Sequence, residues 1–137
     1  MNKRCLSLDL GDARTGVAVS DSMRIIASNL GNIKNSCDED LFNGLDELLK
    51  QYDVDTIVVG YPKNMNGTVG EKGENAKRVA LLLEERYGVK TVLWDERLTT
   101  VSAHRILSEG NVRGKKRKNT VDGLSAVLIL QGYLDSL

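Results

Sequence analysis

The order of apolar runs along the chain predicts an α/β domain built on a five-stranded mixed sheet with helices on both faces. Three features carry that expectation. The opening stretch alternates like a hairpin, two later runs are short and wholly apolar, and stretches of helical period separate and follow them. A three-strand meander followed by helix–strand–helix–strand–helix leads to such a sheet. Ligands of such folds gather beyond the carboxyl ends of the parallel strands, so chemistry is sought there.

The first strand spans Arg4 to Leu10, where Leu6, Leu8 and Leu10 alternate with Ser7 and Asp9. Gly11 and Asp12 turn the chain, and Thr15 to Ser20 returns as the second strand. Ile25 to Ile33 reads as a third strand, interrupted by Asn29 and Gly31. Ser36 and Glu39 have the spacing of a capping box ahead of a helix with Leu41, Phe42, Leu45, Leu48, Leu49 and Tyr52 on one face. Val54 to Gly60 has the continuous apolar character of a strand covered on both faces. Beyond a loop rich in Gly and Asn, a helix carries Ala76, Val79, Ala80, Leu83 and Tyr87 and closes at Gly88. Val89 to Trp94 forms the fifth strand, with Trp94 read as a core residue. A helix capped by Thr99 or Thr100 ends near Gly110, and a final helix capped by Asn119 or Thr120 follows the basic segment RGKKRK.

Its 137 residues suit a single domain, 1–137, with 41% hydrophobic and 28% charged content typical of a globular protein. Nineteen basic residues balance nineteen acidic ones, so any footprint for nucleic acid must be local. Cys5 and Cys37 lack metal-type spacing and read as reduced thiols. The basic start is interrupted by Asp9 too early for a signal peptide, and no run is long enough to span a membrane. A cytoplasmic location without membrane partners is the expectation.

Asp9 is the anomaly, because a carboxylate inside an apolar strand is costly to desolvate. Asp95 and Glu96 follow the fifth strand, and Asp122 falls in the first turn of the expected last helix. Taken singly, Asp122 fits a dipole-complementing residue, and Asp95 or Glu96 a solvated loop residue. Taken together they fit a cation site, since converging carboxylates repel unless cations lie between them. Oxygen-only ligands suit Mg²⁺ or Mn²⁺ rather than zinc, and His104 is the only histidine. Two such ions about 4 Å apart can promote phosphodiester cleavage. Spacing alone leaves open which of Asp95 and Glu96 points inward.

The hairpin LDLGDARTGVAVSD, the loop VVGYPKNMNGTVG, the segment WDERLTTVSA and the terminal VDGLSAVLILQGYLD occur in one order across nearly the whole chain. Together they resemble the YqgF family, also called RuvX, of ribonuclease H-like proteins. The resemblance implies a five-stranded ribonuclease H-like sheet and a bacterial cytoplasmic nuclease that trims the 5′ end of the small-subunit ribosomal RNA precursor. It also implies Asp9, Glu96 and Asp122 as the catalytic and metal-binding carboxylates, with Asp95 in a supporting place. The loop departs from the family pattern at Tyr61, where an apolar residue is common, and at Asn66, where aspartate is.

Weaker signals surround these residues. Arg113, Lys115, Lys116, Arg117 and Lys118 form the one dense basic patch and are candidates for phosphate contact, as is Arg97 beside Glu96. The competing reading of that patch is a solvated loop. Gly67, Gly70 and Gly73 lack the ending of a P-loop and read as a flexible turn. Three rival functions stand beside RNA processing. A Holliday junction resolvase would use the same carboxylates, as a homodimer rather than a monomer if it makes paired cuts. A nucleotide-binding switch is suggested by DLGDARTG, which is similar to the phosphate loop of actin-like ATPases. A nucleic-acid-binding module could have kept the fold without the activity.

Overall fold

A computed structural model describes residues 3–11, 13–35, 37–62, 70–95 and 114–137, with side chains of the last segment from Ser125 onward. Strands β1 (Arg4–Leu10), β2 (Arg14–Ser20) and β3 (Ala27–Lys34) form the meander. Helix α1 (Asp38–Gln51), β4 (Val54–Tyr61), α2 (Glu71–Tyr87) and β5 (Lys90–Asp95) follow, and α3 (Gly114–Asp135) ends the chain. The sheet order is β3-β2-β1-β4-β5, antiparallel through the meander and parallel from β1 to β5. The five-stranded mixed sheet is therefore as expected. The helix expected between Thr99 or Thr100 and Gly110 lies outside the described residues.

Strand alternation divides the core. Leu6 and Leu8 of β1 pack with Leu41, Phe42, Leu45, Ile57, Val59, Val79 and Leu83 under α1 and α2. Cys5, Ala18 and Val58 face the other way, onto Ala126, Ile129, Leu130, Tyr133 and Leu134 of α3. β4 is buried from Thr56 onward, as a strand covered on both faces must be. Its last residue, Tyr61, joins the α1–α2 core and takes the Lys77 ammonium over its ring at 5.6 Å. A tyrosine thus does here what an apolar residue would do.

Several boundaries differ from expectation for local reasons. Ile25 and Ile26 belong to the β2–β3 turn, because the Asp21 carboxylate accepts both of their amide N–H groups at 2.7 and 3.0 Å. That turn is braced further by Arg24, which donates to Lys3 O and to Asp55, and it leaves Met23, Ile25 and Ile26 exposed. The expected capping box does not start α1. Cys37 is the N-cap and makes no side-chain cap bond, while Asp38, Glu39 and Asp40 complement the helix dipole. Gly70 and Gly73 are not a loose turn: Gly70 is the N-cap of α2 and Gly73 is buried inside it. Gly88 closes α2 in the left-handed conformation, as expected. The largest change is in α3, which begins at Gly114 and so takes Lys115 to Lys118 into the helix. Lys and Arg are good helix formers, and the run continues the helical register into the apolar stretch that α3 buries.

Two ion pairs tie α1 to α2 across the surface. Arg78 binds both oxygens of Asp38, and Arg86 reaches Asp46 at 2.9 Å. Tyr87 donates its hydroxyl hydrogen to Asp46 at 2.6 Å. The arginine bonds hold both carboxyls below their ordinary range. Burial, then the bond to Asp46, pushes the Tyr87 phenol up to about 12. The signs follow from linkage. Below the ordinary Asp value of about 3.9 the unfolded chain binds more protons at these positions, so stability falls as the pH drops through the lowered folded values. Above about pH 10 the folded chain holds the Tyr87 proton longer, so stability falls again as the pH rises toward 12. Thermal unfolding as a function of pH should show both flanks. Asp38→Asn with Asp46→Asn should flatten the acid flank, and Tyr87→Phe the alkaline one. Unchanged flanks would assign the pH dependence to other groups.

Candidate nuclease edge

β1, β4 and β5 end together, bringing Asp9, Gly60 and Trp94–Asp95 to one edge of the sheet. Asp9 shares the β1 face of Cys5 and Ser7, toward α3. Its partner on β2 is Gly16, and the β1–β4 register continues from Leu8↔Val59 to set Gly60 on its other side. Both flanking positions are glycines, so neither neighbouring strand sets a side chain beside the Asp9 carboxylate. Gly16 and Gly60 went unremarked in the sequence, where nothing but the strand register shows that they neighbour Asp9. The hairpin after Asp9 closes tightly: Gly11 N–H donates to Arg14 O at 2.9 Å, and a Cβ on Gly11 would stand 2.5 Å from that oxygen.

Helix α3 runs antiparallel to β1, and among the described residues two anchors, Ser7 and Gln131, set its position. Ser7, fully buried, donates its hydroxyl hydrogen to Ala126 O at 2.7 Å. Further along, Gln131 accepts from Ala27 N–H at 3.0 Å and donates to Ile25 O at 2.9 Å. Ala27 pairs with Ser20, whose hydroxyl accepts from Cys5 N–H, so this second anchor lies level with Cys5. Stepping from Cys5 through Ser7 to Asp9 therefore means stepping back along α3, past Ala126 toward Asp122. Two strand residues rise about 6.8 Å and four helix residues about 6 Å, so the Asp122 backbone comes alongside Asp9.

On β5, Val92 and Trp94 pack on the α3 face, whereas Thr91 donates to Glu84 of α2. Asp95 accordingly shares the face of Thr91, away from Asp9. Glu96, Arg97 and Arg113 lie outside the described residues. So do the side chains of Lys115, Lys116, Arg117, Lys118 and Asp122, whose backbones lie in α3.

Among the described residues, the metal-type donor on the α3 face of this edge is the Asp9 carboxylate. Cys5 sits at the far end of β1, fully buried with its thiol pushed up by burial, and Cys37 precedes α1. An oxygen-only set of this kind fits Mg²⁺ or Mn²⁺. Among the described residues no three His, Cys, Asp or Glu side chains cluster as a metal site, since one carboxylate of the expected three is within them. Beside the edge, on the α1–α2 side, an open cleft of about 350 Å³ is lined by Leu10, Gly11, Glu71, Lys72 and Asn75. Lys72 and Asn75 were not singled out in the sequence; their only signal was a place just after the glycine-rich loop. No helix among the described residues is long and apolar enough to cross a membrane.

This arrangement, a five-stranded mixed sheet with a carboxylate-bearing edge beneath a long terminal helix, defines a ribonuclease H-like α/β protein. The chain belongs to the RuvX family, whose model, described as Holliday junction resolvase, matches residues 3–136. A Bacillus subtilis protein named "Putative pre-16S rRNA nuclease" is 51% identical over 136 residues, covering 98% of this chain and 99% of that one. A Bacillus cytotoxicus protein of the same name is 50% identical over 135 residues, covering 97% and 98%. Among solved structures, the fowlpox virus Holliday junction resolvase aligns with a TM-score of 0.55 at 10% identity, over 98% of this chain and 99% of that one. T. thermophilus RuvC in complex with a Holliday junction substrate aligns at 0.50 with 15% identity, over 93% and 91%. At such identities these two share the fold.

Trp94 is half-buried rather than deep in the core, packed edge-on to Tyr133 with ring centroids 6.3 Å apart. It lies over Gly132, where a Cβ would come within 3.1 Å of the indole. As the only tryptophan it reports on the contact between β5 and α3. Gly132→Val should force the ring outward and cost about 1–3 kcal/mol by overpacking. Urea unfolding followed by Trp emission checks this, with a red-shifted native spectrum expected; an unshifted spectrum with unchanged stability would show that the interface yields.

Proposed function

We propose that this protein is a metal-dependent nuclease that hydrolyses phosphodiester bonds, processing the 5′ end of the 16S ribosomal RNA precursor in the cytoplasm. The observation that carries the reading is the place of Asp9, on the α3 face between Gly16 and Gly60, with the Asp122 backbone alongside. Strand alternation turns Asp95 away from Asp9, and the family resemblance supplies Glu96 as the third carboxylate. The names of relatives about half identical over nearly their full length support the RNA substrate. Asp9, Glu96 and Asp122 would hold Mg²⁺ or Mn²⁺, two ions in this reading. When bound, the ions polarise an attacking water and stabilise the leaving oxygen. The chain would contribute carboxylates carried on a strand and a helix, with glycines on both sides of Asp9 in the sheet.

The family description favours a second substrate, the four-way DNA junction, cut by a homodimer. One experiment separates the two. Labelled precursor RNA and a synthetic junction are each incubated with native protein and with Asp9→Asn, Glu96→Gln and Asp122→Asn, in Mg²⁺ or Mn²⁺. RNA cleavage should fall about 100-fold or more in each variant while RNA binding persists, because phosphate contacts elsewhere carry the affinity. Paired cuts in the junction and none in the RNA would establish the resolvase reading instead. Full activity in a folded Asp9→Asn would remove both.

The basic run supports nucleic-acid contact in a new setting. Lys115 to Lys118 stand in the first turns of α3, where unpaired N–H groups already attract anions, and cations there oppose the dipole unless phosphates approach. Arg97 and Arg113 join the proposed phosphate contacts. Replacing Lys115, Lys116, Arg117 and Lys118 by Ala should weaken binding equally for all sequences. The slope of log affinity against log salt should drop by up to about 3 for a single strand, if all four contact phosphates. An unchanged slope would exclude the run from the contact surface.

A further inference from the structure

We infer that Ser7 is a positioning residue for the metal site, setting Asp122 against Asp9 through its hydrogen bond to the Ala126 carbonyl. This rests on the proposed metal-binding role of Asp9 and Asp122 and extends it to a residue that makes no contact with metal or substrate. Ser7 and Asp9 are two residues apart on one face of β1, and Ala126 and Asp122 are four apart on α3. The bond between Ser7 and Ala126 therefore sets where along β1 the next turn of the helix arrives. It is buried and spans 119 residues, and both of its ends are fully enclosed. Cys5, Ala18, Ala126 and Ile129 pack around it by non-directional van der Waals contacts, whereas the hydroxyl aimed at one carbonyl fixes both distance and direction. Among the described residues, the Gln131 anchor lies at the opposite end of the sheet and holds the turn, and Ser7 is the anchor nearer Asp9. Ala18, opposite Ser7 on β2, has no polar group to share the role.

The site tolerates little displacement, because carboxylates that share cations must be placed to within a fraction of an ångström. Loss of an oriented neighbour of a metal ligand typically weakens affinity ten- to a hundred-fold. The test is Mn²⁺ binding to the full chain, followed by the electron paramagnetic resonance of free Mn²⁺, with native protein, Ser7→Ala, Ser7→Cys and Asp9→Asn. Val79→Ala, in the α1–α2 core on the other face, serves as the control for general loosening. Ser7→Ala should weaken Mn²⁺ binding about ten-fold. Ser7→Cys, similar in size with a weaker donor, should fall between it and native. Turnover should drop while KM for RNA stays, and Val79→Ala should lose thermal stability without losing Mn²⁺ affinity. If Ser7→Ala binds Mn²⁺ like native while Asp9→Asn does not, Ser7 is structural only and the proposal fails while the metal site stands. If Asp9→Asn also binds like native, the metal site itself is wrong and the proposal falls with it. Should Ser7→Ala not fold, Ser7→Cys decides by the same comparison.

Discussion

The structure depends on β1 being enclosed on all four sides. It is hydrogen-bonded along both edges, to β2 and β4, and covered on both faces, by α1 and α2 above and α3 below. A strand in that position has no solvent-facing row, so every side chain must satisfy a neighbour. Leu6 and Leu8 do so by apolar contact and Ser7 by a hydrogen bond to a helix carbonyl. Asp9 stands where the enclosure ends and is only partly buried. Its neighbours on β2 and β4, Gly16 and Gly60, bring no side chain beside it.

The same constraint explains why the site is divided between elements far apart in sequence. The strand supplies one carboxylate with a fixed direction, and the helix beneath supplies another through its register. Small residues on the α3 face of the sheet, Gly16, Ala18 and Ser7, let the helix lie close, and Ala126 answers them from the helix side. By contrast, the α1–α2 face is packed with Leu, Ile, Val and Phe and is tied at its surface by the arginine pairs Arg78–Asp38 and Arg86–Asp46. One face is built for packing strength and the other for close approach and alignment. Both surface pairs are solvent-exposed and so contribute modestly to stability.

What could be read from the sequence alone was set by period and composition. Alternation gave β1 its bounds and marked Asp9, the unbroken apolar run gave β4, and Gly88 gave the end of α2, because each signal is local and its physics acts within a few residues. Local signals failed where a distant or competing group intervened. Asp21 drew Ile25 and Ile26 out of the third strand by taking their amides. The run of Lys and Arg looked like a loop because of its charge, yet its helix propensity and its continuity with an apolar helix placed it inside α3. Only the tertiary structure could decide which residues neighbour Asp9. The glycines beside it, the turn of α3 alongside it and the face on which Asp95 lies all follow from strand register and helix docking. The β1–β4 pairing and the Ser7–Ala126 bond, the latter spanning 119 positions, join residues far apart in sequence and leave no periodic trace in the chain.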